Sequence, residues 1–167
     1  EKSMEKNNQN KNINWVNFLH FYQPPSINRD TIDEVVKNSY SFILKILKEN
    51  KNAKISANIN ASLLEHLDEF GYHDLIKEIN QLVLRGKIEL VLSAAYHPVL
   101  ALVPLKEAKR QIKRSFEISK TFFPKVKIKG FFFPEMIYDK NVAKFLKTKG
   151  IKWIILDELS YGGQFNK

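Results

Sequence analysis

Residues 129–158 read KGFFFPEMIYDKNVAKFLKTKGIKWIILDE and combine two apolar runs with acidic residues at their ends. An apolar run, Gly130 to Phe133, ends at a proline and the carboxylate Glu135. An amphipathic segment with helical spacing follows, and a second apolar run ends at Asp157 and Glu158. Two apolar strands joined by a helix are typical of a parallel β–α–β unit whose strands are covered by helices. The stretch therefore predicts two buried neighbouring strands, each followed by an acidic side chain.

The same alternation of strand and helix extends over most of the chain. Helical periodicity separates five β-prone runs, at 15–21, 53–59, 87–93, 127–133 and 151–156. The runs recur at intervals of roughly 25 to 40 residues, which is enough for a crossover helix between parallel strands. The class is therefore α/β, and the alternation alone fits either a doubly wound sheet or a barrel.

The positions of polar residues favour the barrel. Such residues follow the carboxyl ends of the predicted strands: His20, Asn58, Asn60, His97, Glu135 and Asp157. In a (β/α) barrel these ends converge on one mouth, where the chemistry is built. Because about five strands do not close a barrel, we predict an incomplete barrel whose missing C-terminal part would be its structural partner.

The charge of the chain invites a nucleic-acid interpretation, which its distribution does not favour. The formal net charge is +9 over 167 residues, but the basic residues are mostly lysines scattered singly through helical segments. A nucleic-acid surface would instead show a dense basic patch or stripe. We therefore expect a solvated lysine surface and no nucleic-acid partner.

The termini and composition set the remaining expectations. Residues 1–12 are polar and Asn-rich, so we predict a disordered lead-in, followed by the barrel domain over 13–167. No apolar run approaches the roughly 18 residues of a transmembrane helix, and the N-terminus lacks a signal-peptide core. The absence of cysteine excludes disulfides and thiolate metal sites. We expect a cytoplasmic protein that does not bind membranes.

Glu135 has two interpretations. A carboxylate near the start of a helix is favoured by the helix dipole, whatever the protein does. Alternatively, an acid directly after a strand, and before the helix-opening Asp139, is a candidate for catalysis. We expect its side chain to be partly buried, because it follows an aromatic run and a proline.

The four histidines do not form a recognisable metal motif. His20 and His97, together with Asp157, would supply three ligands, but neither of these histidines lies in an H-x-D or H-x-x-x-H spacing. Each of these histidines has a structural alternative, as a core or loop residue. We interpret His66 and His73 as surface residues. No nucleotide-binding loop or G-x-S-x-G elbow occurs either, so no metal and no cofactor are expected.

Three segments, in this order, resemble the sequence regions of glycoside hydrolase family 57: HFYQPP at 20–25, AAYHPVLALVP at 94–104 and GFFFPEMIYD at 130–139. The resemblance extends over about residues 13–160. It implies a (β/α)7-type barrel and retaining hydrolysis or transglycosylation of α-glucans. The acid/base aspartate of the family belongs to a later strand, so the resemblance implies a fragment that is inactive alone.

The resemblance also assigns roles to individual residues. It implies that Glu135 is the catalytic nucleophile, that His20 and His97 bind substrate, and that Gln23 and Asp157 lie on the substrate side. Distant relatives hold zinc with a His-x-Asp motif, but here Tyr22 stands two residues after His20, so zinc is not expected. Two alternatives remain open, a non-catalytic carbohydrate-binding barrel and a metal-dependent polysaccharide deacetylase.

Overall fold

The computed structural model describes residues 15–157. The predicted lead-in, residues 1–12, and the end of the chain, 158–167, lie outside the described residues. The described part contains five strands and six α-helices, in the order β1 (Phe18–Phe21), α1 (Arg29–Val35), α2 (Ser41–Glu49), β2 (Ile55–Ile59), α3 (Ala61–Glu69), α4 (His73–Leu84), β3 (Ile88–Leu92), α5 (Leu105–Phe122), β4 (Gly130–Phe132), α6 (Lys140–Thr148) and β5 (Trp153–Ile155). A π-helical turn, Val36–Tyr40, joins α1 to α2.

The five strands form one parallel sheet in sequential order, β1-β2-β3-β4-β5. A doubly wound sheet reverses its strand order at a switch point, whereas the strands of a (β/α) barrel follow one another around the axis. The sheet is therefore a curled half-barrel, and the predicted incomplete barrel of about five strands is confirmed.

The strand register divides the sheet into an inner and an outer face. His20 pairs with Asn58, Asn58 with Val91, Val91 with Gly130, and Gly130 with Trp153, so these residues form one row across the sheet. Residues in such a row point to the same side. The row lies on the inner face, because its chain neighbours pack outward against the helices. A Cβ on Gly130 would overlap the ring of Trp153, so this row requires a glycine there.

The outer face and the helices enclose two groups of buried apolar side chains. The first lies under β1 to β3 and includes Ile32, Leu44, Leu63 and Leu64. The second lies under β4 and includes Phe131, Phe133, Ile112 and Leu146. Burying one such side chain contributes about 1.5–3 kcal/mol. This packing fixes the outer face, which in turn holds the strand ends in place.

The sequence predicts the start of α6 but not the start of β1. Asp139, predicted to open a helix, caps α6 by accepting hydrogen bonds from the backbone N–H groups of Asn141 and Val142, both at 2.8 Å. The predicted first strand, 15–21, is too long, since only Phe18–Phe21 is paired as a strand. Trp15 is 83% exposed and lies ahead of the sheet. None of the helices within residues 15–157 is both long and apolar enough to cross a bilayer.

Candidate active site

Aromatic and imidazole rings from three strands meet at the carboxyl end of the sheet. The His20 ring, on β1, lies 4.8 Å from the His97 ring and 5.6 Å from that of Tyr22, measured between centroids. Phe132, on β4, packs its ring 5.1 Å from His20. Glu135 completes the group, because its Oε1 lies 3.5 Å from Nε2 of His97. The structure therefore brings together three of the five predicted site residues.

Glu135 is presented to solvent, whereas His97 is enclosed behind it. The side chain of Glu135 is 68% exposed, and that of His97 is 6% exposed. The expectation that Glu135 is partly buried was therefore wrong. A short turn at Pro134–Met136 lifts the carboxylate out of the apolar layer formed by Phe131 and Phe133. The carboxylate is thus open to a ligand, while His97 has little surface left to contact one.

The backbone at this site is strained. Within residues 15–157 the non-glycine residues with positive φ are His97 (56°), Glu135 (55°) and Met136 (56°). This conformation places Cβ close to the backbone and costs roughly 1–3 kcal/mol per residue. It persists only where the surrounding structure imposes it, and such residues cluster at ligand and catalytic sites.

Helix α5 holds the loop that carries His97. The Gln111 side chain accepts a hydrogen bond from the backbone N–H of Tyr96 at 3.1 Å and donates one to Glu107 at 3.0 Å. Hydrogen bonds from Arg110 and Gln111 lower the pKa of Glu107 to about 2, so this carboxylate is ionised at neutral pH and can accept both. Gln111 is buried, and its side-chain orientation is therefore fixed.

Side chains at the start of helix α3 hold the loops that follow β1 and β3. The Asn60 side chain donates to the carbonyl of Ala94 at 3.0 Å, and the Ser62 hydroxyl lies 2.8 Å from the carbonyl of Gln23. The interpretation of His66 as a surface residue was wrong, because it is 9% exposed and its Nε2 donates to the carbonyl of Pro24 at 3.3 Å. The ring also stacks on that of Phe70, at a centroid distance of 5.6 Å. His73, by contrast, is exposed as expected.

Gln23 and Asp157 are less closely tied to this group. The Gln23 side chain is hydrogen-bonded to Tyr40. Burial raises the pKa of Tyr40, and the hydrogen bond with Gln23 partly offsets that increase. Asp157 is half-buried and lies two residues beyond the end of β5. Their assignment to the substrate side stays a prediction. Across residues 15–157, no group of three or more His, Cys, Asp or Glu side chains is arranged to hold a metal ion.

Two residues near the site were missed by the sequence analysis. Phe132 was assigned only to a buried strand, yet its ring contacts both His20 and His97. Glu89 is an exposed carboxylate within β3, and its Oε2 accepts a hydrogen bond from Ser56 at 3.3 Å. Glu89 and Ser56 are paired across β3 and β2 and lie on the inner face, each two residues before the paired Val91 and Asn58. The signal for Glu89 was a charge inside the otherwise apolar run IELVL.

His20 and His97 are expected to make the stability of the fold depend on pH near neutrality. Burial lowers the pKa of both rings, and for His97 the neighbouring His20 lowers it further, against the attraction of Glu135. The unfolded chain then binds more protons than the folded chain once the pH falls below the ordinary value of 6.5. We expect the melting temperature to fall between about pH 7.5 and pH 5.5, and to level off below the folded-state pKa values.

A thermal-melting series in single-pH buffers measures this effect. Replacing both histidines, as His20→Phe with His97→Gln, is expected to remove most of the decline, and the matched variant His73→Gln is expected to retain it. An equal decline in all three proteins would contradict the assignment to His20 and His97.

The chain matches a known protein family. The family model described as glycosyl hydrolase family 57 matches residues 4–164. An α-amylase of Pyrococcus abyssi is 29% identical over 149 residues, and a 4-α-glucanotransferase of Thermococcus litoralis is 27% identical over 151 residues. Each match covers 89% of this chain but 22% of the relative, so the chain spans about a fifth of the length of these relatives.

Solved structures also superpose on this chain. The crystal structure of 4-α-glucanotransferase from Thermococcus litoralis superposes with a TM-score of 0.81 at 26% identity, over 89% of this chain and 23% of that one. A pseudoenzyme of the CE4 family from Bacillus anthracis matches with a TM-score of 0.58 at 13% identity, over 84% of this chain and 42% of that one, and shows similarity of fold alone. On the match to the family model, which extends over nearly its whole length, the chain belongs to glycosyl hydrolase family 57.

Proposed function

We propose that this chain carries the nucleophile side of a retaining active site for α-glucans, with Glu135 as the nucleophile. The observation that carries the proposal is the exposed Glu135 carboxylate, which lies beyond β4 on a strained backbone beside His97. The α-glucan substrate is inferred from relatives named α-amylase and 4-α-glucanotransferase.

The proposed chemistry needs an ionised carboxylate with one free oxygen. In a retaining enzyme, a carboxylate attacks the anomeric carbon while an acid about 5–5.5 Å away protonates the leaving oxygen. The resulting glycosyl ester is then released to water, which gives hydrolysis, or to a sugar hydroxyl, which gives transfer. Because Oε1 of Glu135 faces His97 at 3.5 Å, we assign Oε2 to the attack.

The neighbouring residues have supporting roles in this proposal. His97 steadies the carboxylate from behind, and His20 contacts the substrate from β1. Tyr22 stacks parallel to His20, at an interplanar angle of 7°, and offers an aromatic face to a sugar ring. Gln23 and Asp157 remain on the substrate side as weaker assignments.

We place the acid/base on an aspartate of a strand that follows β5 in the complete barrel, as the resemblance to the family implies. The 167-residue chain alone is then expected to be inactive on maltooligosaccharides. Turnover by this chain that disappears in the Glu135→Gln variant would show that the acid/base lies within it, and Asp157 would then be the first residue to replace.

The stereochemistry of the first product tests the proposed reaction. The full-length protein is incubated with maltooligosaccharides, and the anomeric configuration of the new reducing end is followed by NMR before mutarotation. The proposal predicts the α-anomer, and the β-anomer would exclude a retaining mechanism. Binding without turnover would instead support the non-catalytic carbohydrate-binding alternative.

A further inference from the structure

We propose that Asn58 is a positioning residue that holds neutral His20 in the tautomer with hydrogen on Nδ1, so that Nε2 can only accept a hydrogen bond from a ligand. Asn58 lies near the carboxyl end of β2, and His20 stands directly beside it in the register of β1. The Asn58 side chain is buried, with an exposed fraction of 0%, and its amide therefore has few orientations available.

The amide orientation of Asn58 is set by β3. Its Nδ2 lies 2.8 Å from the backbone carbonyl of Val91, and a carbonyl oxygen can only accept. The nitrogen of the amide must therefore face Val91, which directs Oδ1 toward β1. Exchanging the two ends of the amide would place two acceptor oxygens against each other in a buried site, at a large cost in free energy.

The tautomer of His20 follows from that orientation. Oδ1 of Asn58 lies 2.8 Å from Nδ1 of His20, and an amide oxygen also can only accept. Nδ1 must therefore carry a hydrogen, and in a neutral imidazole Nε2 then carries a lone pair. Among residues 15–157, the titratable groups that face this ring are His97, Glu135 and Tyr22, whose ring stacks on it. His97 directs its own Nε2 to Glu135 rather than to His20.

The consequence concerns what His20 can recognise. A neutral His20 accepts a hydrogen bond from a ligand hydroxyl, and it has no proton to give to a glycosidic oxygen. Assigning that hydroxyl to a glucose unit rests on the proposed function. The tautomer itself does not, because it follows from contacts within the protein.

Heteronuclear NMR of the histidine rings tests the tautomer without any substrate. In the unmodified 167-residue chain above the pKa of His20, we expect the nitrogen signals of a ring protonated at Nδ1 and unprotonated at Nε2. The opposite pattern would overturn the proposal. Because no glucan is present, this result is independent of whether Glu135 is a nucleophile.

Two substitutions at Asn58 test its role. Asn58→Leu has nearly the same shape and no acceptor, so the preference for Nδ1–H is expected to be lost, and its retention would overturn the proposal. Asn58→Asp keeps the acceptor toward His20, and its second oxygen can donate to the Val91 carbonyl when the carboxyl is protonated, so the hydrogen on Nδ1 of His20 is expected to persist. Loss of that hydrogen would also overturn the proposal.

Ser56→Ala is the matched control. Ser56 lies on the same face of β2, is 9% exposed and hydrogen-bonds to Glu89 rather than to His20. The control is expected to leave the ring signals of His20 unchanged. If Ser56→Ala abolishes the Nδ1–H preference as Asn58→Leu does, the effect belongs to the strand as a whole, and the specific role of Asn58 is refuted.

Discussion

The Glu135→Gln variant of the full-length protein is expected to lose at least about 10³-fold in kcat on maltooligosaccharides, as the loss of an essential nucleophile does in other enzymes. Glutamine has nearly the same shape as glutamate, and its amide oxygen can still accept from His97. The backbone strain and the ring cluster should therefore be unchanged, while the ability to form a glycosyl ester is removed. Initial rates under substrate saturation measure the effect.

Glu34→Gln is the control for this loss, because Glu34 is an exposed carboxylate on α1, away from the strand ends. It should leave kcat within about twofold, as a surface substitution with no catalytic contact does. Added azide should partly restore turnover of an activated substrate by a Glu135→Ala variant, whose truncated side chain leaves space for the anion, and yield a β-glycosyl azide. A Glu135→Gln enzyme within tenfold of the unmodified rate would show that the nucleophile is another residue.

The Phe131→Ala variant is expected to lose about 3–5 kcal/mol of the free energy of unfolding, as Phe→Ala substitutions do in well-packed cores. Phe131 is 0% exposed at the centre of β4, and its ring meets that of Phe133 edge-on at a centroid distance of 5.3 Å. Truncation would leave a cavity beside Ile112 and Leu146, in the cluster that holds β4 in place.

Urea denaturation measures this change as a shift in the transition midpoint. Total stabilities are commonly about 5–15 kcal/mol, so a loss of this size removes a substantial share of the total. Phe42→Ala is the matched control, because Phe42 is 61% exposed on α2 and should change stability by no more than about 0.5 kcal/mol. Equal losses in the two variants would contradict the packing described for β4.

Much of the site could be predicted because the fold class determines where strand ends lie. Once the alternating runs indicate parallel strands, the residues after each strand must lie at one edge of the sheet. The meeting of His20 with His97, across 4.8 Å, follows from that rule although 77 positions separate them in the sequence. The start of α6 was equally accessible, since Asp139 is a local capping signal.

The finer features depended on contacts that no local pattern encodes. The exposure of Glu135 results from the left-handed turn at Glu135 and Met136, which non-glycine residues rarely adopt. The burial of His66 accompanies its hydrogen bond to the backbone carbonyl of Pro24, 42 residues earlier in the chain. The orientation of the Asn58 amide depends on which carbonyl of β3 stands beside it, and therefore on the strand register.

Covalent trapping identifies the carboxylate that forms the glycosyl ester, which we propose is Glu135. The full-length protein is incubated with a fluorinated α-glucosyl fluoride, which forms the intermediate faster than it is released, and is then digested and analysed by mass spectrometry. We expect one added sugar on the peptide that contains FFFPEM, located at Glu135 by fragmentation, with no label in the Glu135→Gln variant. A stable sugar adduct on any other carboxylate, Glu89 or Asp157 included, would contradict it.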